Sequence, residues 1–294
     1  MKMTELDMAK IPTFGVAGNF TGHLEQAGEA FDFKNVKTDE ANAPKAIFPT
    51  YLPENMEGKA KSQASGITLT PEFLHVFPFN KDTIIFPKGE EKLQIEPECA
   101  LVFDAEWNGE ELVNLKPLVF GASNDCSIRK QGAKKISEKK NWSNASKGFA
   151  QNKIPVESFT KGSILDNYRI ASFLIRDGVA HQYGEDSAVR DYSYIYEKLI
   201  NWMLNKFNNQ KCEGPAEDIH SYLVESGCPE HIMVSIGATR YTDWGEHNFL
   251  QDGDQAVVVV YPEDKYNFDQ VKEMVQSGNC EDPLVSVLRQ TVKM

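Results

Sequence analysis

Alternation of apolar and polar side chains is the dominant pattern along this chain, and it is clearest over residues 93–104. Read as extended backbone, Ile95, Pro97, Cys99, Leu101 and Phe103 share one wholly apolar face. Gln94, Glu96 and Glu98 point the other way, followed by Ala100 and Val102. Residues 112–122 are apolar apart from Asn114 and Lys116, which predicts a buried strand delivering the loop that follows. Further strands are predicted at 14–17, 73–77, 83–86, 168–174, 179–183, 232–236 and 255–261. Asp177-Gly178 is a turn dipeptide that makes a hairpin of the two central ones.

Helical spacing is rarer. Tyr192, Ile195, Tyr196, Leu199, Ile200, Met203, Leu204 and Phe207 recur at that spacing and predict a helix over 192–207 with a core-facing stripe. Residues 19–28 read as a loop entering a short helix, 44–53 as extended chain broken by prolines, and 59–70 as a polar, mobile loop. Residues 208–230 are polar, contain Gly-Pro and a modest helix at 216–224, and read as an insertion. The pattern divides the chain into a leader (1–13), a main domain (14–265) and a C-terminal extension (266–294) of peripheral helix and tail. Many short strands with few helices predict a mainly β fold with attached helices.

Composition narrows the function classes. With 31 basic and 43 acidic residues the net charge is −12, which argues against a nucleic-acid or anionic-membrane surface as the main partner. The first residues carry no apolar signal core, and the longest aliphatic run, 256–261, is too short to span a bilayer. Five cysteines without a CxxC pair suggest neither a disulfide framework nor a zinc cage. The expectation is a reduced, cytoplasmic protein.

Against that background three carboxylates stand out. Glu96 and Glu98, two apart on a strand, sit about 7 Å apart at Cα, close enough for their oxygens to converge on one hard cation. Asp125 ends the apolar run that follows, so the three form an oxygen-donor pattern suited to Mg²⁺, Mn²⁺ or Ca²⁺. The segment 129–140 then carries six Lys or Arg and one Glu in an otherwise acidic protein. It reads either as a solvated loop or as a flexible flap bringing positive charge to an anionic substrate.

The order of these pieces resembles the fumarylacetoacetate hydrolase superfamily. The likeness rests on the Asn19-Phe20…His23 segment, the Leu93-Gln94-Ile95-Glu96-Pro97-Glu98-Cys99-Ala100 strand, and Asn124-Asp125-Cys126-Ser127-Ile128-Arg129. Ser146-Lys147-Gly148-Phe149, the 177–207 hairpin and helix, and the 236–254 loop and turn continue it in the same order. The resemblance implies a mixed β-roll and a homodimer. It also implies a divalent cation on Glu96, Glu98 and Asp125, His23 as base, and Lys147 and Arg129 as electrophilic helpers. Gln26 and Thr239 would contact substrate. The implied activity is hydrolysis or lysis of a small oxo acid, a β-dicarbonyl or 2-oxo acid, by carbon–carbon cleavage through a metal-stabilised enolate. An isomerase or decarboxylase would use the same ligands, and a non-catalytic metal-binding scaffold or ligand sensor could share the fold.

The chain also departs from the family pattern. Gln26 stands where the family has a glutamate beside its histidine, and Lys130 where it has a second aspartate. Pro97 separates the two glutamates, which suits an edge or bulged strand. Gly237-Ala238-Thr239-Arg240 replaces the family's Gly-Thr-Pro. With the long basic flap at 129–146 and the 208–230 insertion, these mark a divergent branch.

Overall fold

The computed structural model describes residues 6–34, 36–66, 69–130 and 132–294. Two sheets carry the architecture. The first runs in the order Ala46–Tyr51, Thr13–Ala17, His231–Ser235, Pro97–Asn108, Glu111–Asn124 and Gly148–Phe149, with Ile154–Pro155 also paired to Glu111–Asn124. Thr13–Ala17 and His231–Ser235 are parallel, and the remaining neighbours are antiparallel, so the sheet is mixed. The second sheet runs Val179–Ala188, Tyr168–Arg176, Gln255–Pro262, Ser286–Lys293 and Thr83–Ile85. Asp177 and Gly178 both take positive φ (52° and 77°), as a tight hairpin between Tyr168–Arg176 and Val179–Ala188 requires.

The main core lies between the sheets and the helix Tyr196–Asn209, which buries Leu199, Met203 and Phe207. Phe207 meets Phe14 edge to face, with ring centroids 5.1 Å apart. Burying each such side chain stabilises the fold by about 1.5–3 kcal/mol. A second cluster, including Phe173, Val257, Val259, Val271 and Val275, lies under the helix Phe268–Ser277 on the far face of the second sheet.

Four local expectations are corrected. The polar stretch 59–70 is not a loop throughout, because Met56–Ser65 is a helix, N-capped by Asn55 and closed by Gly66 at φ 69°. Residues 73–77 are not a strand: Glu72–His75 forms one 3-10 turn. The helix expected from residue 192 begins at Tyr196, since Tyr192 instead donates its hydroxyl to the Gly237 carbonyl. The expected tail contains the strand Ser286–Lys293, held between two others in the second sheet.

Candidate metal centre

Strand register brings the three carboxylates together. Pro97–Asn108 pairs with Glu111–Asn124 so that Pro97 faces Asn124 and Glu98 faces Ser123. One strand therefore starts where the other ends. The Glu96 N–H donates to Asn124 Oδ1 and the Asp125 N–H donates to the Glu96 carbonyl, both at 3.1 Å. Just beyond, Leu93–Gln94 pairs with Ser127–Ile128. Pro97 takes the first position of its strand, where a missing N–H is tolerated. Glu96, Glu98 and Asp125 each contribute a carboxylate oxygen to a buried cluster in which all three lie within 4.8 Å of one another.

Positive charge surrounds them. Lys147 Nζ lies 3.0 Å from Asp125 Oδ1 and donates to the Cys126 carbonyl at 2.5 Å. Lys140 Nζ donates to Glu96 Oε2 at 2.5 Å and lies 2.9 Å from Asp125 Oδ2. Arg129 Nη2 lies 2.8 Å from Glu96 Oε1 and donates to Tyr241 Oη at 2.7 Å. Arg129 Nη1 and Lys139 Nζ both reach Glu29 Oε1, at 2.7 and 2.8 Å. Burial raises the Glu96 carboxyl, but Lys140 and Arg129 outweigh it and hold the group well below the usual range. Glu98 goes the other way: burial, then Asp125 and Glu96, push it well above that range, against the charge of Lys140 and a hydrogen bond from the Gly237 N–H at 2.7 Å. Burial also lowers Lys147, whereas Asp125 and Glu96 overcome burial at Lys140 and raise it.

His23 opens the short helix His23–Gln26 after Gly22, which takes φ 89°. It is buried, its ring lies 5.2 Å from that of Tyr241, and its Nδ1 has no hydrogen-bond partner among the described residues. Burial pushes the imidazole down to about 4, Glu96 resisting. Gln26 closes both ends of its amide on the Tyr241 backbone, donating to its carbonyl at 3.1 Å and accepting from its N–H at 2.9 Å. Thr239 is buried with its hydroxyl unpartnered among the described residues, and its N–H donates to the Pro97 carbonyl at 3.1 Å. Asn19 locks the loops behind Glu98, donating to the Tyr194 and Ile236 carbonyls.

A cleft of about 560 Å³ lies in front, lined among others by Gln26, Glu29, Gln94, Arg129, Lys130 and Lys139. The three carboxylates do not line it; they lie behind Arg129. Sequence reasoning placed Glu96, Glu98, Asp125, Arg129 and Lys147 together and missed Glu29, Lys139, Lys140 and Tyr241. Lys139 and Lys140 sit in the basic segment, where the expected readings were a solvated loop or a flexible flap. Instead both are buried, at 3% and 2% exposure, and the 3-10 turn Ile136–Lys139 is docked. The run of charge was the only signal, and it did not tell which lysines turn inward. Lys130 stays outside this cluster and pairs with Glu90 at 3.2 Å.

The donor set fits a hard divalent cation. It is all oxygen, and positive charge already holds the oxygens that a cation would take, Glu96 Oε1 by Arg129 at 2.8 Å and Asp125 Oδ2 by Lys140 at 2.9 Å.

Solved structures show the same fold at low identity. Cg1458 with inhibitor matches at 15% identity and TM-score 0.53, over 96% of this chain and 76% of that one. A 5-carboxymethyl-2-hydroxymuconate delta-isomerase from Mycobacterium smegmatis matches at 11% and 0.52, over 96% and 78%. A 2-keto-3-deoxy-D-arabinonate dehydratase complexed with magnesium and 2,5-dioxopentanoate matches at 14% and 0.51, over 96% and 72%. The protein thus has the fumarylacetoacetate hydrolase-like fold. No curated protein matches it in sequence. Residues 29–292 match the family of unknown function DUF5718, and the chain belongs to that family.

Proposed function

We propose that this protein is a divalent-cation-dependent enzyme acting on a small anionic oxo acid. The observation that carries the proposal is the buried convergence of Glu96, Glu98 and Asp125 within 4.8 Å. Those three residues would hold Mg²⁺, Mn²⁺ or Ca²⁺. A cation there supplies Lewis-acid stabilisation for charge developing on a carbonyl oxygen.

The other tasks fall to the chain. Lys147, fixed by Asp125 and the Cys126 carbonyl, sets a second positive charge beside the same region. Arg129 stands between the cleft and the carboxylates, where a guanidinium can orient a substrate carboxylate. Burial lowers His23 to about 4, so the ring is neutral at neutral pH, and its Nδ1, unpartnered among the described residues, is available as a general base. Gln26 is turned to the Tyr241 backbone and serves to hold the cleft wall. Carbon–carbon cleavage next to a carbonyl is the reaction we assign; isomerisation and decarboxylation make the same electrostatic demands. The acting unit would be a homodimer.

A second reading, a scaffold or sensor without turnover, is favoured by one feature: the Lys140 ammonium already bridges two of the carboxylates. Thermal unfolding of metal-stripped protein separates the two readings. Adding Mn²⁺ or Mg²⁺ should raise the midpoint, oxalate should raise it further, and Glu96→Ala should abolish both shifts. No shift with any cation would remove the enzyme reading.

A further inference from the structure

Lys140 stands where a cation would stand. Its Nζ is 2.5 Å from Glu96 Oε2 and 2.9 Å from Asp125 Oδ2, and it also faces the Asp125 carbonyl at 3.4 Å. Mg²⁺ needs oxygens at about 2.0–2.1 Å and Ca²⁺ at about 2.3–2.6 Å. An ion bridging these two carboxylates would lie against the ammonium, so both cannot hold them at once.

Charge makes the same demand. Glu29, Glu96 and Asp125 already face four cations, Arg129, Lys139, Lys140 and Lys147, while Glu98 is ion-paired with none of them among the described residues. A divalent ion added to this buried set brings two uncompensated positive charges, which a low-dielectric interior strongly disfavours unless a resident cation leaves. The carboxylates are also sealed, with Glu96, Glu98 and Asp125 at 4%, 1% and 2% exposure.

The segment carrying Lys140 is docked by Ile136, buried in a small apolar cluster with Leu24, Phe33 and Phe48, and by polar contacts. Ser137 Oγ donates to Glu217 Oε1 at 2.6 Å, Lys135 Nζ donates to the Gly214 and Ala216 carbonyls, and Asn141 Nδ2 donates to the Thr50 and Val76 carbonyls. Water can replace such partners when a segment moves out. Lys139, which precedes it in the chain, lines the cleft, so withdrawing the pair would open the carboxylates towards it.

We infer that Lys140 is a tethered cation sharing the carboxylate site with the divalent ion, so that ion binding and release of Lys140 are one coupled event. This rests on the reading of Glu96, Glu98 and Asp125 as a cation site. The protein therefore keeps a closed, internally paired centre when cations are scarce, and cation binding itself opens the route from the cleft.

Calorimetric Mn²⁺ titration of the wild type and Lys140→Met tests this. Amine-reactive labelling of the wild type with and without Mn²⁺, read at Lys140 by mass spectrometry, tests it without a substitution. Lys140→Met should bind Mn²⁺ roughly tenfold tighter or more, because the competing charge is gone. Wild-type Lys140 should label several-fold faster at Mn²⁺ saturation. Equal affinity in the two proteins, or labelling unchanged at saturation, overturns the inference and leaves the proposed function standing. Binding by Lys140→Met alone supports the shared site and removes the cation-dependent function from the wild type. Binding by neither overturns both. A Lys140→Met chain that folds only with Mn²⁺ supports the inference, since the ion then replaces the ammonium.

Discussion

Gly245 shows how closely backbone and site are fitted at the scale of a residue. A Cβ there would lie 2.0 Å from the Tyr183 carbonyl oxygen, a backbone atom that cannot rotate away. The Gly245 and Glu246 carbonyls accept from Gln94 Nε2 at 3.3 and 3.1 Å, and Gln94 Oε1 accepts from Arg129 Nε at 2.7 Å. Gly245→Ala must therefore push the helix Asp243–His247 off the strand Val179–Ala188 and loosen Arg129. Overpacking of this kind costs about 1–3 kcal/mol, so the unfolding midpoint should fall and the oxalate-dependent shift should shrink. An unchanged oxalate shift would show that Arg129 is held without Gln94. Residues such as Glu96, Glu98 and Asp125 were legible because strand alternation and motif order are local. Glu29 and Lys140 were not, since each meets its partners only after distant segments pack.

Among elements, the 3-10 turn Ile136–Lys139 depends on a carboxyl placed far along the chain. Burial pushes Glu217 up to about 7, with the Ser137 hydroxyl lowering it only in part. Between its ordinary value of 4.5 and about 7 the folded protein holds a proton that the unfolded chain has lost. Stability from this group is thus full below pH 4.5 and fades as pH rises through about 7. Glu217→Gln should remove that slope and make the protein more stable than the wild type above neutrality, by ~1–3 kcal/mol. Urea unfolding at several pH values measures it, and parallel curves for the two proteins would rule out the titration. Elements were legible where periodicity was strong, as in the hairpin around Asp177 and the helix burying Leu199, Met203 and Phe207. Met56–Ser65 escaped because few of its side chains are apolar; its signal was the pair of caps, Asn55 and Gly66. Ser286–Lys293 alternates buried and half-buried positions and carried a strand signal that was read as tail.

For the whole molecule, that last strand joins the two sheets to the site. Gln290 is fully buried on it; its Oε1 accepts from Asn124 Nδ2 at 3.1 Å, and its Nε2 donates to the Lys147 and Asn80 carbonyls at 3.0 and 2.7 Å. Asn124 in turn accepts from the Glu96 N–H and precedes Asp125. One amide of the second sheet thus holds the ends of the first sheet that carry a carboxylate and the neighbouring lysine. Gln290→Leu would fill the same space yet leave the Asn124 amide donor and the Asn80 carbonyl short of a partner, while the Lys147 carbonyl keeps the Asn80 N–H at 3.0 Å, at roughly 1–3 kcal/mol for each group left buried and unpaired. The expected result is a folded but destabilised protein whose Mn²⁺-dependent rise in midpoint is reduced more than that of a core variant of equal stability, such as Val292→Ala. If both variants lose cation response in proportion to stability alone, Gln290 is a packing residue and the carboxylates are positioned by the first sheet unaided. If the Gln290 variant alone loses it, the C-terminal strand is part of the machinery that sets the geometry of the site.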